Sequence, residues 1–260
     1  MNRLTISLFS LLLLSGCAPS VHQLRPVSGD VAQFDGRPVT KSEQSGIVVV
    51  ASFERLDMQY VALDIEVKNQ TDRPIEVNPA DFHYAALNEN QDSLRNRINP
   101  VYGLVYSAAD PQREARLVTV KQAQEEKRLR TARIINTVLL VAAVASDVAS
   151  STSARNTRDY GRWVNNRVAH NNMYQMVAMK RAIDHGTFAN RMQRYEYETY
   201  RWKELALRRT TVPPGESVRG LVYLPLYKDA HYLKLGFPVP ENEPVSILFR
   251  QEQVKPDRRR

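Results

Sequence analysis

Cysteine is almost missing: 260 residues contain one, Cys17. A single thiol cannot close an internal disulfide, so it needs another use. Motifs that announce catalysis are missing too. There is no His-Glu-x-x-His, no Gly-x-Ser-x-Gly, no Gly-x-Gly-x-x-Gly and no P-loop. The five histidines, His22, His83, His170, His185 and His231, include no pair at i, i+3 or i, i+4, so a zinc site would need ligands gathered only by folding. Each reads as a hydrogen-bonding residue of surface or core. Acidic residues are plentiful, but nothing in their spacing singles out a pair. No catalytic residue, no metal site and no cofactor is expected, and the chain reads as a non-enzyme. No apolar run approaches the roughly 20 residues that a membrane-spanning helix needs. Proline is absent from 112 to 208, and that stretch holds two glycines, Gly161 and Gly186.

What is present begins with an address. Arg3 gives a positive start, and Leu4 to Leu14 is an apolar run of export-signal length. Leu14-Ser15-Gly16-Cys17 follows. Small residues before a cysteine at the end of such a run resemble the lipobox of bacterial lipoproteins. That resemblance, over residues 1–20, implies cleavage before Cys17 and acylation of Cys17. Several buried acyl chains anchor strongly, each CH₂ contributing about 0.8 kcal/mol. Ala18, rather than Asp, resembles the outer-membrane sorting outcome of diderm bacteria, with the periplasmic face favoured over the cell surface. Residues 1–16 are read as signal peptide and 17–45, polar and rich in turn residues, as a lipidated tether.

The strongest strand signal is Met58–Asn69. Val61, Leu63, Ile65 and Val67 alternate with Tyr60, Ala62, Asp64, Glu66 and Lys68, the period of a strand with one buried face. Gly46–Phe53 is a continuous apolar run suited to a buried strand, with Glu54–Asp57 as a tight connection between the two. Short pieces at Pro74–Val77 and Asp81–Leu87 bring the count to about four strands, and Val101–Ser107 is a candidate for another. Strand period returns after Arg209, in Val218–Leu224, Tyr232–Phe237 and Val245–Arg250. Pro214-Gly215 suits positions i+1 and i+2 of a type II turn.

Between these halves helix formers dominate. The spacing predicts three helices: about 112–149, about 156–184 stopped by Asp184-His185-Gly186 as a glycine C-cap, and 188–207 capped by Thr187. Ser150–Ala154 forms the first turn. In the third helix Phe188, Met192, Tyr195, Thr199, Trp202 and Ala206 make one packing stripe. Neither strand set forms a sandwich alone. The economical arrangement is one β-sandwich, 46–108 plus 209–252, with an insertion at 109–208 in a connecting loop. A basic tail, 253–260, ends the chain.

Val67-Lys-Asn-Gln-Thr-Asp-Arg-Pro-Ile75 followed by Asn78-Pro-Ala-Asp-Phe82 resembles runs in immunoglobulin-like (telokin-like) domains of bacterial lipoproteins. Thr211-Val-Pro-Pro-Gly-Glu-Ser-Val-Arg-Gly-Leu-Val-Tyr223 resembles another. The likeness covers about 110 residues, skips the insertion and implies an immunoglobulin-like sandwich. With the helices read above, the expected fold is α+β: an antiparallel immunoglobulin-like β-sandwich interrupted by a three-helix insertion. The likeness implies no catalytic residues. Asn69-Gln70-Thr71 matches a glycosylation pattern, but in a bacterial lipoprotein it reads as turn chemistry.

Charge separates the regions. Residues 110–209 hold 19 of the 36 basic residues and 10 of the 28 acidic ones, a net +9 in a chain of net +8. Long solvated helices often carry such charge; an anionic partner is the functional alternative. Export disfavours nucleic acid. Thr137–Ser146 is apolar on all sides, and it either packs against Trp163, Val164 and Val168 or meets another subunit or a membrane. The expected function is a non-catalytic, outer-membrane-anchored lipoprotein serving as an interaction or structural module. Its membrane contact is the N-terminal lipid, and residues 110–208 engage a protein partner or a second copy. The alternative is a carrier of lipid or glycan.

Overall fold

The computed structural model describes residues 21–34, 36–96, 99–153 and 157–254. Residues 1–20, Cys17 among them, lie outside these, as do 255–260. Two units result. Residues through Pro111 and from Leu205 onward form one, and Gln112–Glu204 form the other.

Among the described residues the first unit holds twelve strands: β1 (Val21–Pro26), β2 (Asp30–Phe34), β3 (Arg37–Gln44), β4 (Ile47–Asp57), β5 (Tyr60–Asn69), β6 (Ile75–Val77), β7 (His83–Leu87), β8 (Val105–Ser107), β9 (Thr210–Val212), β10 (Ser217–Pro225), β11 (Tyr232–Val239) and β12 (Asn242–Val254). One antiparallel sheet runs β1-β12-β11-β7-β8 and the other β10-β5-β4-β3-β2, with β6 and β9 as a small third pair. The two large sheets share one core. Val61, Leu63, Ile65 and Val67 of β5 belong to it with Val222 of β10, Leu235 of β11 and Ile247 of β12. The register sets Leu63 opposite Val222 across the β5–β10 ladder. Residues far apart in the chain thus close a single apolar layer, as the alternating patterns on both sides of the insertion require.

Several expectations are corrected. The tether does not extend to residue 45, because β1, β2 and β3 occupy most of 21–44. β1 pairs with the last strand, from Val21 opposite Val254 to Pro26 opposite Phe249, and Leu24 enters the core. Their weak apolar patterning hides them: β2 is exposed along its whole length, and β3 is held by its ladder to β4. Among the described residues eight strands therefore precede the insertion and four follow it. β4 continues through Glu54–Asp57, past a register shift at Phe53/Arg55, and the turn is made at Met58, whose φ is 56°. β12 continues through Gln253 and Val254, so the basic tail begins later than 253.

The insertion is two helices, not three: α1 (Pro111–Ser153) and α2 (Thr157–Tyr200), the second continuing into a wider turn at Arg201–Leu205. Helix α1 runs through 150–153, where a turn was expected; residues 154–156 lie outside the described ones. Helix α2 runs straight through Gly186 and Thr187, so neither stops nor starts a helix. A mid-helix glycine costs about 1 kcal/mol, too little to end a helix that otherwise keeps its period and lacks proline.

Both ends of the insertion are fastened to β10. The outgoing chain bonds there through Ala109 N–H to the Tyr223 carbonyl at 2.9 Å, and the returning chain through Leu207 N–H to the Leu221 carbonyl at 2.9 Å. The returning backbone passes so close that a Cβ on Gly220 would lie 2.7 Å from Leu207 Cα. Local chemistry behaves as expected elsewhere. Buried Asn69 donates to the Arg73 and Val212 carbonyls and accepts from the Thr71 amide and hydroxyl, which makes it a turn residue. Pro213–Glu216 closes a turn with Gly215 at φ 80°, the conformation that position i+2 of a type II turn demands.

Candidate contact surface on the helical hairpin

Proline at the first position of α1 suits a helix start. Each helix exceeds 40 residues, so each is about 65 Å long. The two form an antiparallel hairpin with a heptad-spaced seam. On α1 the shielded positions are Val118, Gln122, Glu125, Leu129, Ala132, Asn136, Leu140 and Ala143. On α2 they include Val177, Arg181, Asp184, Phe188, Arg191 and Tyr195, with Trp202 in the wider turn that follows. Phe188, Met192, Tyr195, Thr199 and Trp202 of the expected stripe are all at least half-buried.

That seam is unusually polar. Arg191 Nη1 donates to Glu125 Oε1 at 2.7 Å and Oε2 at 2.8 Å. Asn136, 1% exposed, donates to Asp184 Oδ2 at 3.3 Å, and Lys180 Nζ donates to the same oxygen at 2.6 Å. The Lys180 hydrogen bond, assisted by that of Asn136, holds the Asp184 carboxyl below its ordinary range. Glu125, by hydrogen bond and charge, raises Arg191 above the usual guanidinium value. A recess of about 230 Å³ opens between the helices, lined by Leu129, Ala132, Ile183 and Phe188 together with Asp184 and Arg191. Nearer the sandwich end of α2, the Arg201 guanidinium lies 5.3 Å from the Tyr197 ring centroid and 5.2 Å from that of Trp202.

The outer surface inverts the usual pattern. Ile134, Val138 and Val141 are 65%, 61% and 62% exposed. Ile135, Leu139 and Val144 flank them and are also exposed. On α2, Met176, Met179 and Ile183 stand exposed across from this level of α1, to judge by the Asn136–Asp184 pairing. The apolar segment 137–145 is therefore largely uncovered, with Leu140 half-buried and Ala143 buried as its exceptions. Val168, one of its expected partners, is 56% exposed; Trp163 and Val164 lie outside the residues whose side chains are described. Residues 112–204 carry 17 basic and 9 acidic side chains, a net +8 equal to that of the whole chain. A basic cluster, Lys127, Arg128, Arg130 and Arg133, adjoins the uncharged run 134–146.

Other places show less. Outside the core, on the solvent face of the β2–β3–β4–β5–β10 sheet, a recess of about 340 Å³ is lined by Phe34, Val39 and Val50 beside Asp64 and Arg219. Arg219 forks onto both Asp64 oxygens, at 3.0 and 2.6 Å. Tyr84, Tyr106 and Tyr227 form a row with centroids 5.3 and 5.5 Å apart, and Tyr84 donates to the Pro225 carbonyl at 2.7 Å. Burial first, then its two tyrosine neighbours, pushes the Tyr84 hydroxyl far above its ordinary pKa. Among the described residues no three His, Cys, Asp or Glu side chains converge as a metal site, and no helix is long and apolar enough to cross a membrane. Cys17, the one residue assigned a modification, is not among the described residues.

The polar seam had a signal in the sequence. Glu125 and Ala132, and Gln122, Leu129, Asn136 and Ala143, repeat every seven residues, but a search for apolar stripes passes over them because most are polar or small. Comparison with known proteins finds no matching family model, no matching curated protein and no matching solved structure.

Proposed function

We propose that this chain is a non-catalytic lipoprotein, acylated at Cys17 and anchored in the outer membrane on its periplasmic face. In this reading an immunoglobulin-like β-sandwich is the rigid platform and the basic hairpin is the contact surface for a protein partner or a second copy. One observation carries the proposal: aliphatic side chains face solvent on the same hairpin that holds the excess positive charge. Apolar groups left in water lose about 25 cal/mol per Å² relative to burial, so such a surface favours a partner that covers it.

The test replaces 112–204 by a short flexible linker between Pro111 and Leu205. The shortened chain should keep a cooperative unfolding transition and lose its crosslinked partners in the cell envelope. Unchanged crosslinks in a folded deletion variant would sink the contact reading. Anchoring is checked separately: metabolic labelling with a fatty acid should mark the full chain and fail for Cys17→Ser.

A further inference from the structure

We propose that the hairpin associates with a second copy of this chain, α1 against α1 and antiparallel, through Ile134, Val138, Val141 and Ala145. The inference rests on the contact reading above and names the occupant of that surface.

These four residues are spaced 4-3-4 and all are exposed. They lie on the side of α1 away from the seam residues Leu129, Asn136 and Ala143. The helix thus has two heptad stripes, a polar one turned to α2 and an apolar one turned to solvent. Spacing of 4-3-4 is what knobs-into-holes packing against another helix requires.

Area allows a weak pair. Ile134, Val138 and Val141 together expose the surface of about two whole aliphatic side chains. That is on the order of 300 Å² per copy and about 600 Å² for two, the size of a weak, transient contact. The association becomes effective when lipid anchors concentrate the copies on one membrane.

Charge selects the direction. In a parallel pair, Lys127, Arg128, Arg130 and Arg133 of one copy would face the same four cations of the other. A two-fold axis midway between Val138 and Val141 avoids this. It sets Val138 of each copy against Val141 of the other and Ile134 against Ala145. Each basic cluster then faces the segment 146–153 of the other copy, which contains no basic residue. The interface core is uncharged, so the pair should survive or tighten at high salt, whereas binding to an anionic partner weakens as salt rises.

The experiment uses the full chain in the envelope of a diderm host, as two differently tagged copies. One carries Val138→Cys and the other Val141→Cys. Cys17 is the only native cysteine, so wild-type pairs supply the background. Mild oxidation should link the Val138→Cys and Val141→Cys copies at least several-fold above background and above a Val138→Cys and Met179→Cys pair. The link should persist at about 0.5 M salt, where the Debye length is only a few ångströms. It should vanish when Ile134→Glu is present in both copies. Because Ile134 is 65% exposed, that change leaves the monomer folded. Linking no better than background overturns the proposal. So does binding of the purified chain to anionic vesicles that Ile134→Glu abolishes while no copy-to-copy link forms. If partner crosslinks still depend on 112–204 when the cysteine pair fails, self-association falls and the contact reading stands. If both fail, both are wrong.

Discussion

The sandwich and the hairpin solve the same problem in opposite ways. In the sandwich, alternation sorts side chains cleanly. Val61, Leu63, Ile65 and Val67 are 0–1% exposed and face the opposite sheet. In the hairpin, Asn136, Asp184, Glu125 and Arg191 occupy the seam, while Ile134, Val138 and Val141 stand in water. Two helices cannot enclose a core as two sheets can, because each touches the other along one narrow stripe. A polar seam contributes little net stability, since hydrogen bonds and partly exposed ion pairs exchange with water at small gain. The sandwich is thus built to stand alone. The hairpin depends on helix propensity, on its fastening to β10 and on whatever covers its outer stripe.

The contrast can be broken most directly in the core. Leu63→Ala should cost about 2–5 kcal/mol in urea unfolding, through lost burial and the cavity left behind. Val138→Ala should stay within about 0.5 kcal/mol, as an exposed change does. Equal effects would mean that the hairpin's aliphatic residues are as buried as the core. Next comes the fastening of the insertion. At Gly220→Ala the new Cβ would meet Leu207 backbone at 2.7 Å, so the returning chain must shift. A loss of about 1–3 kcal/mol is expected, with faster hydrogen exchange at the Leu207 amide as the local readout.

Opposite pH limits sharpen the comparison further. The raised folded pKa of Tyr84 means its contribution is present below its unfolded value of about 10 and is lost as pH climbs through the folded value. The lowered pKa of Asp184 means its contribution is present above the unfolded carboxylate value of about 3.9 and is lost as pH falls through the folded one. Alkali should therefore loosen the sandwich, seen by tyrosine absorbance and near-UV signal. Acid should loosen the hairpin, seen as helix loss by circular dichroism, and Lys180→Met should move that loss to higher pH. An identical acid profile for Lys180→Met would remove Lys180 as the cause.

The smallest effect expected is at the seam itself. Asn136→Leu should raise the melting of the helical signal by a few degrees, because a polar residue in a heptad seam costs stability while setting register. A fall instead would mean that the Asn136–Asp184 bond stabilises the hairpin more than its burial costs.

Much of the core was legible because period-2 patterning is local. β5, β10, β11 and β12 could be read from their own residues, and the split around the insertion followed from counting strands. β1, β2 and β3 could not. Their place depends on ladders to β12 and β4, and a backbone ladder leaves no mark on side-chain pattern. Gly186 misled for a related reason: a glycine signals a helix end only where the period also stops, and here seam positions 184 and 188 continue it. The apolar run 137–146 was visible from the start, but whether it was covered was not.

By itself the sequence determined the alternation that builds the two sheets, the helical character of the insertion and the concentration of charge within it. These depend on residue type and spacing alone. Tertiary structure decided which strands became neighbours, that two helices rather than three make the insertion, and that polar residues took the seam while aliphatic ones faced outward. Those outcomes depend on which surfaces meet, and helix rotation within a hairpin is set by the sum of weak contacts along two long elements. No single residue carries that sum.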